Sequence, residues 1–295
     1  MSDPGPSLRW TRPPSAAAYM LRAFWPGRRE RTLHPRLALA WAGARWSEED
    51  LAAFEALTSL SDTTGLGLLA PHVLGFRLTM ALLTRPEMPV PIWGILQTRN
   101  HLVELCPVAR DAALDLDARV SAGRVVDKGA ELDVLTTARV DGAVVWQSLV
   151  TFFTRGRWGA AEAPSPLAAP PQVRAEPSAT WRLEDAGHAL VGRLTGDHNG
   201  LHYWDAYARR FGFPRAFYHP PRVLAECLAR LPAPPPSGPR RLDVWLRGPV
   251  PHGAEVRLGV ERAGAGAAFT LHAADARPCL VGRLGPAGAS EAVLG

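Results

Sequence analysis

The chain has 295 residues, of which 47% are hydrophobic, and this composition is typical of a globular protein with room for two domains. Its net charge of +5 comes almost entirely from arginine, because Lys128 is the only lysine, and the arginines are mixed with acidic residues. No basic block is interleaved with aromatic residues, so the sequence does not predict binding to nucleic acid.

The first half of the chain reads as two helices followed by four strands. The segment WSEEDLAAFEAL (46–57) predicts a short helix that Ser47 caps. A second, buried helix is predicted to begin at Pro71 and to end at Leu83. Alternating or apolar runs predict strands, and the tripeptide VDG between the last two of them is a hairpin-turn signal. These runs are residues 92–105, 113–123, 131–140 and 143–153.

The second half repeats this order after a linker. Residues 158–179 are rich in proline and alanine and have no apolar period, so they cannot form a core of their own. Residues 205–211 predict one or two helical turns, and PPRVLAECLARL (220–231) has apolar residues at helical spacing. Four short strands are then predicted at residues 240–250, 254–263, 267–275 and 279–285.

The repeated order of one helix and about four antiparallel strands predicts an α+β fold in which each half is a sheet wrapped around a helix. We expect an N-terminal domain over residues 1–157, the linker over 158–179, and a C-terminal domain over 180–295. The repeat concerns the order of elements, because residue-by-residue similarity between the halves is not evident. The first 35 residues do not favour a particular structure.

The cysteines and the apolar segments bear on the cellular setting. Cys106, Cys227 and Cys279 are odd in number and form no CxxC motif, so we expect buried thiols in a reducing cytoplasm. The N-terminal MSDPGPSLRW lacks the apolar stretch of a secretion signal. The most apolar run begins at Gly65 and contains a proline, a histidine and an arginine, so we do not expect it to span a membrane.

The segment richest in side chains that could act in catalysis is TGDHNGLH, residues 195–202. Gly196 and Gly200 permit a tight turn that presents side chains inward. A carboxylate at Asp197 and an imidazole at His202 could converge on one water, which one of them deprotonates while the other donates a proton. Thr195 would hold this pair by hydrogen bonds, together with Asn199.

Two other interpretations of this segment stay open on residue types alone. Asp197 and Asn199 could simply cap the turn, which is a common use of these side chains. His198, His202 and His219 could instead ligate a metal, although zinc sites usually show a tighter helical spacing than these histidines have.

The segment LTGDHNGLHYWDAYA (194–208) resembles the signature of MaoC-like hydratases and dehydratases, which include the (R)-specific enoyl-CoA hydratases. That signature is Ser/Thr-Gly-Asp-x-Asn-Pro-aliphatic-His, followed by five residues and Ala. The residues of this chain that fit it are Thr195, Gly196, Asp197, Asn199, Leu201, His202 and Ala208. FGFPRAFYH (211–219) resembles the Gly-Phe and Ala-His-Gly sequence with which the family opens the central helix of its hotdog fold.

The first half resembles the degenerate N-terminal hotdog of the family's two-repeat members. APHVLGFRL (70–78) is similar to their Pro-His-x-x-x-Phe helix entry, and GAVVWQSLVTF (142–152) to their Gly-x-x-x-Trp-x-Ser strand. The resemblance covers residues 35–155 with few motif positions and residues 185–285 with most of them. It implies a tandem hotdog whose first half supplies the acyl tunnel, since LTSLSDTTGLG (57–67) has no Asp/His pair. We expect His72, at the helix entry, to serve packing away from the Asp197 loop.

The resemblance implies a hydro-lyase that adds water to trans-2-enoyl thioesters or removes it from (R)-3-hydroxyacyl thioesters of coenzyme A or a carrier protein. It implies no cofactor and no metal. Asp197 would deprotonate the water that attacks C3, and His202 would position that water and return a proton to C2. His219 would support the site, and Arg215 and Arg222 would meet the anionic parts of coenzyme A. A homodimer is compatible with the sequence.

Two residues depart from the family pattern. Gly200 replaces its proline, which keeps the spacing from Asp197 to His202. Pro220 replaces the glycine whose backbone N–H is expected to hold the thioester oxygen, and proline has no N–H. We expect Pro220 to reshape the oxyanion site without eliminating catalysis, because proline suits the first turn of a helix. The alternatives are a thioester-binding protein that has lost catalysis and a hotdog thioesterase.

Overall fold

The computed structural model describes residues 7–24, 32–232, 238–273 and 277–288. Within these ranges the chain forms six α-helices and eleven β-strands. The helices are α1 (Ala16–Ala23), α2 (Glu48–Thr58), α3 (Leu66–Leu83), α4 (His188–Thr195), α5 (Asp205–Arg210) and α6 (Pro220–Leu228). The strands of the first half are β1 (Leu8–Trp10), β2 (Ala38–Ala44), β3 (Leu96–Glu104), β4 (Leu114–Val126), β5 (Gly129–Val140) and β6 (Ala143–Arg155). Those of the second half are β7 (Pro177–Arg182), β8 (Arg240–Leu246), β9 (Glu255–Ala263), β10 (Gly266–His272) and β11 (Leu280–Pro286).

All eleven strands join one sheet in the order β1-β2-β4-β5-β6-β3-β8-β11-β10-β9-β7. Every neighbouring pair is antiparallel except β1 and β2. The two halves meet where β3 pairs with β8, and His101 lies opposite Asp243 there. The His101 Nδ1 donates to the Asp243 Oδ1 at 2.7 Å, and both side chains are buried. Residues of α3 and α6 share one hydrophobic core beneath this sheet.

The four strands predicted in each half are present, and Asp141 and Gly142 form the predicted hairpin turn with positive φ angles of 49° and 82°. The last residues of the strand predicted at 267–275, namely 274 and 275, lie outside the described residues. α2 is capped as predicted, with Ser47 Oγ accepting from the Asp50 N–H at 3.1 Å.

The central helix of the first half begins earlier than predicted. α3 starts at Leu66, so that Pro71 lies in its second turn rather than at its first position. Gly65, with a φ of +124°, starts the helix by accepting from the N–H groups of Leu68 and Leu69. Proline here forgoes a single hydrogen bond to the residue four positions earlier, and burial of the helix outweighs this loss.

The boundaries in the second half differ slightly from those predicted. β7 begins at Pro177, inside the predicted linker, because residues 177–182 pair with the edge of β9. Residues 156–176 therefore connect β6, the last strand of the first half, to β7, the first strand of the second half. α6 ends at Leu228, three residues before the predicted end of this helix. The outer ends of the two predicted domains, residues 1–6 and 289–295, lie outside the described residues.

The N-terminal segment contains two elements that sequence patterns did not indicate. β1 adds a parallel strand to β2, and α1 follows with Ser15 as its N-cap, whose Oγ accepts from Ala18 N–H at 3.3 Å. α1 packs on α3, and this places Tyr19 in the buried interior.

The three cysteines and the apolar helix α3 differ in their exposure to solvent. Cys227 and Cys279 are buried as expected, whereas Cys106 is exposed, because it follows the end of β3 at the surface. By length and composition alone, α3 is apolar enough to cross a membrane, but 83% of it is buried inside the fold. Such burial is typical of a helix in the core of a folded protein.

Candidate active site

The segment with the Asp/His pair forms a tight loop between α4 and α5. Gly196 ends α4 in the left-handed conformation, with a φ of +69°. A β-carbon at this position would lie 2.0 Å from the Tyr19 hydroxyl, which donates to the Gly196 carbonyl at 2.6 Å. Both the backbone conformation and this close contact therefore require glycine.

Polar side chains of the loop hold its own backbone. Thr195 Oγ1 donates to the Val191 carbonyl at 2.7 Å and accepts from the Asp197 N–H at 3.2 Å. Asp197 Oδ1 accepts from the Asn199 N–H at 3.0 Å, and Asn199 Oδ1 accepts from the Leu201 N–H at 3.2 Å. Thr195 and Asn199 therefore fix the loop, and Asp197 caps the turn with one oxygen while the other stays available.

That second oxygen faces His202, which lies in a single 3-10 turn (Gly200–His202). Asp197 Oδ2 is 3.5 Å from His202 Nε2, and the two side chains are only 14% and 6% exposed. His202 Nδ1 is 2.9 Å from the Phe217 carbonyl, which can only accept, so Nδ1 carries a proton. In the neutral ring, Nε2 is therefore the basic atom, and it points at the carboxylate.

The carboxylate of Asp197 is ionised over the whole physiological range. Burial raises its pKa, but the adjacent imidazoles of His202 and His219 and the Asn199 N–H more than offset this and lower it to about 2. His219 lies on the other side of His202, with ring centroids 3.8 Å apart. Burial lowers the pKa of His219 to about 3, so its ring is neutral, and Nε2 donates to the Asp197 carbonyl at 3.0 Å.

The helix that begins beside this site has few free donors. Pro220 and Pro221 occupy the first two positions of α6 and have no N–H. The Arg222 and Val223 N–H groups both donate to the His219 carbonyl, at 3.0 and 3.3 Å. Of the nearby donors, the backbone N–H of His219 is hydrogen-bonded to no protein atom among the described residues.

A cavity of about 370 Å³ adjoins the pair and lies between the two halves of the chain. The second half contributes Asp197, His202 and Pro220 to its wall. The first half contributes apolar side chains from α3, the segment before β3, the start of β3, and β6, namely Phe76, Met80, Leu83, Ile92, Ile95, Leu96 and Phe152. The site is thus a carboxylate and an imidazole at the end of an apolar chamber.

The two arginines predicted to meet a substrate do not line this cavity. Arg222 is 1% exposed, and its guanidinium contacts Glu226, the carbonyl of Glu184 and the face of Tyr218. Arg215 is 58% exposed and lies 3.9 Å from Asp205. The cavity wall contains a different arginine, Arg247, which is exposed at its rim.

Three further features hold the loop, and none has a motif that would identify it in the sequence. Tyr19 approaches from α1, and the Arg77 guanidinium of α3 hydrogen-bonds the Arg193 carbonyl near the end of α4. Gly200 packs against Tyr207, since a β-carbon there would lie 2.9 Å from its ring. The proline of the family pattern would therefore meet an aromatic ring in this chain.

The same side chains could also ligate a cation. The donor atoms of Asp197, His202 and His219 lie within 4.8 Å of one another. Backbone carbonyls hold one nitrogen of each histidine, which leaves one nitrogen of each for another partner. His198 is not part of this group and lies 3.4 Å from the Tyr203 hydroxyl. His72 is buried against Phe76 and Trp146 and does not line the cavity.

No protein-family model matches the chain. Over 187 aligned residues it is 29% identical to 3-hydroxyacyl-thioester dehydratase X of Mycobacterium tuberculosis, and this alignment covers 62% of the chain and 66% of that protein, just under two thirds of its length. The crystal structure of HtdX from M. tuberculosis superposes with a TM-score of 0.70 and 25% identity, over 84% of this chain and 99% of that one.

A MaoC-like dehydratase from Phytophthora capsici has a TM-score of 0.66 at 17% identity, over 87% of this chain and 97% of that one. At that identity the likeness concerns the fold, and it confirms the predicted tandem hotdog. Sequence, architecture and the Asp/His loop agree with one another: the chain is similar in sequence to a 3-hydroxyacyl-thioester dehydratase and has the hotdog fold of MaoC-like dehydratases.

Proposed function

We propose that this protein is a hydro-lyase that reversibly hydrates trans-2-enoyl thioesters and dehydrates (R)-3-hydroxyacyl thioesters. One observation carries the proposal: Asp197 and His202 face each other at 3.5 Å in the wall of an apolar cavity. Both side chains are shielded from solvent, and the carboxylate is held ionised, as a general base requires.

In the hydration direction, Asp197 takes a proton from water while the water oxygen bonds to C3. The C2–C3 double bond shifts its electrons toward the thioester, whose oxygen becomes negative as an enolate. His202 Nε2 lies beside the same water and orients it, because Nδ1 is fixed by the Phe217 carbonyl. The proton that Asp197 took passes across 3.5 Å to His202 Nε2 and from there to C2, so that both side chains regain their starting state as the carbonyl re-forms. Dehydration runs through the same steps in reverse.

The substrate is proposed to be a thioester of coenzyme A. The acyl chain would occupy the part of the cavity that the first half lines, where seven apolar side chains accompany Gln97 and Thr98. The anionic carrier would lie at the rim, where Arg247 is exposed. This arginine takes the role that sequence reasoning gave to Arg215 and Arg222, which lie outside the cavity wall.

A second function has specific support, namely thioester binding without turnover. Enolate charge needs a donor at the thioester oxygen, and removing one such donor typically lowers a rate by about 10²–10³. α6 offers its partial positive charge but no N–H at its first two positions. A protein that keeps the chamber and lacks an oxyanion donor would bind acyl thioesters and release them unchanged.

One assay separates these functions and the thioesterase alternative. Purified protein is mixed with crotonyl-CoA or with a long-chain enoyl-CoA, and the enoyl absorbance and free thiol are followed together. A hydro-lyase lowers the enoyl absorbance and releases no thiol, whereas a thioesterase releases thiol. Saturable binding with neither signal would establish the binding function and refute the hydro-lyase. His198→Ala serves as a control, because it changes a neighbouring histidine outside the pair.

A further inference from the structure

A second group of metal-type ligands lies behind the wall of the cavity. Asp185 follows β7, His188 is the first residue of α4, and His252 lies in the loop between β8 and β9. One donor atom from each comes within 4.8 Å of the other two. None of the three contributes to the catalytic pair, so the function proposed above leaves this group unexplained.

The geometry of the group is close to that of a zinc site. His252 Nδ1 lies 3.6 Å from Asp185 Oδ1, and the two imidazole rings are nearly parallel, with centroids 5.3 Å apart and planes 15° apart. Zinc bonds to nitrogen of about 2.0–2.1 Å in a tetrahedron place neighbouring ligand atoms about 3.3 Å apart. The Asp185–His252 pair is already near that separation, and one ring nitrogen of His188 lies within 4.8 Å of the donor atoms of both.

The polar atoms of this group are not satisfied by protein. His188 Nδ1 is buried and has no hydrogen-bond partner among the described residues. On His252 the nitrogen without such a partner is Nε2, whereas Nδ1 is the nitrogen that faces Asp185. Buried polar groups nearly always have a partner, so the His188 nitrogen calls for one. Asp185 is 65% exposed and therefore able to turn toward an ion.

We propose that Asp185, His188 and His252 bind one zinc ion, with water completing the coordination. Two imidazole nitrogens and one carboxylate are a ligand set that zinc uses in proteins. The site would be structural rather than catalytic, since none of its ligands lines the cavity.

Its position explains what the ion would do. α4 runs from His188 to Thr195 and leads directly into the loop that carries Asp197. On the other side, the ring of His252 lies 4.7 Å from that of Tyr218, which lines the cavity. An ion here would link the N-terminal end of α4 to the 249–253 loop. It would thereby stabilise the position of α4, whose C-terminal end leads into the loop that carries Asp197.

The test uses the full chain, stripped of metal with a chelator, incubated with excess Zn²⁺ and passed over a desalting column. We expect about one equivalent of zinc to remain, with a rise in Tm relative to the stripped protein. The His188→Ala and Asp185→Asn variants should each retain no zinc after desalting, and Zn²⁺ should not raise their Tm. Both side chains are at least partly accessible, so neither change is expected to prevent folding.

Two controls identify where any zinc binds. His198→Ala removes a nearby histidine outside the group and should keep the equivalent. Asp197→Asn removes a ligand of the catalytic cluster and should also keep it. The inference is overturned if the wild type retains no zinc, or if zinc is lost with Asp197→Asn and kept with His188→Ala. Neither result depends on whether the protein hydrates thioesters.

Discussion

Replacing Pro220 by glycine tests whether a missing oxyanion donor limits the rate. The substitution adds an N–H at the first position of α6, where the helix dipole already favours negative charge. Competing donors are largely engaged, because the Arg222 N–H donates to the His219 carbonyl at 3.0 Å and His219 Nε2 to the Asp197 carbonyl at 3.0 Å. A full oxyanion donor contributes about 2.7–4 kcal/mol, equivalent to 10²–10³ in rate.

We expect a smaller gain, of about tenfold or more in kcat, because the added N–H enters a helix end shaped for proline. Loss of the rigid ring, with glycine in its place, should lower the free energy of unfolding by about 1–2 kcal/mol. The assay is the initial rate of loss of enoyl absorbance with the best enoyl-CoA, alongside a thermal melt. An unchanged or lower kcat in a folded variant would refute the reasoning, since it would show that another group already holds the oxygen.

Pro220→Ala is the matched control. It gains the same N–H, keeps a β-carbon, and lacks the conformational freedom of glycine. If both variants are faster, the added donor is the cause. If only the glycine variant is faster, loop flexibility is the cause and the donor argument is wrong.

Four other substitutions test the catalytic pair, the support of its loop and the buried His72. Asp197→Asn and His202→Ala should each lower the hydration rate by about 10²–10⁴ with the circular dichroism spectrum unchanged, and near-full activity in either folded variant would contradict the assigned pair. Tyr19→Phe leaves the buried carbonyl of Gly196 without its 2.6 Å donor, so the free energy of unfolding in urea should fall by about 1–3 kcal/mol and kcat should fall as the loop loosens. Unchanged values of both quantities would argue against this role of Tyr19. His72 has its pKa lowered from 6.5 to about 4 by burial, so below pH 6.5 the unfolded chain binds a proton that the folded chain refuses. Stability is therefore lost as the pH falls from 6.5 to 4, and His72→Leu should remove up to about 3 kcal/mol of that loss, whereas an identical pH dependence would disprove it.

The succession of strands along the chain and the VDG hairpin were accessible from the sequence because alternation and turn residues are local signals. The VDG turn and the capped α2 are set by residues that are adjacent in the chain. The start of α3 was predicted wrongly at Pro71, because a proline is a strong local signal for a first turn and burial of the whole helix overrides it. α1 is too short to show a distinctive amphipathic pattern, so the structure of the N-terminal segment could not be predicted from its sequence.

The same distinction between local and distant contacts applies to the candidate active site. Asp197 and His202 lie five residues apart, so a single turn explains how they meet. The contacts that hold them come from far along the chain: Tyr19 reaches Gly196 across 177 residues, and the Arg77 contact spans 116. Arg222 was predicted at the substrate because of its place beside Pro220, but helical geometry turns its side chain into the interior toward Glu226.

The pairing of β3 with β8 makes the two halves partners within one polypeptide. Residues 156–176 keep the partners together at a fixed effective concentration, so their association is intramolecular and does not weaken on dilution. Only one half carries the Asp/His loop, and the other supplies part of the apolar wall of the cavity. Substitutions at Phe76, Met80 or Ile92 can therefore change which acyl groups fit while the reacting residues stay untouched. In a symmetric pair of identical subunits, each such change would alter both walls at once.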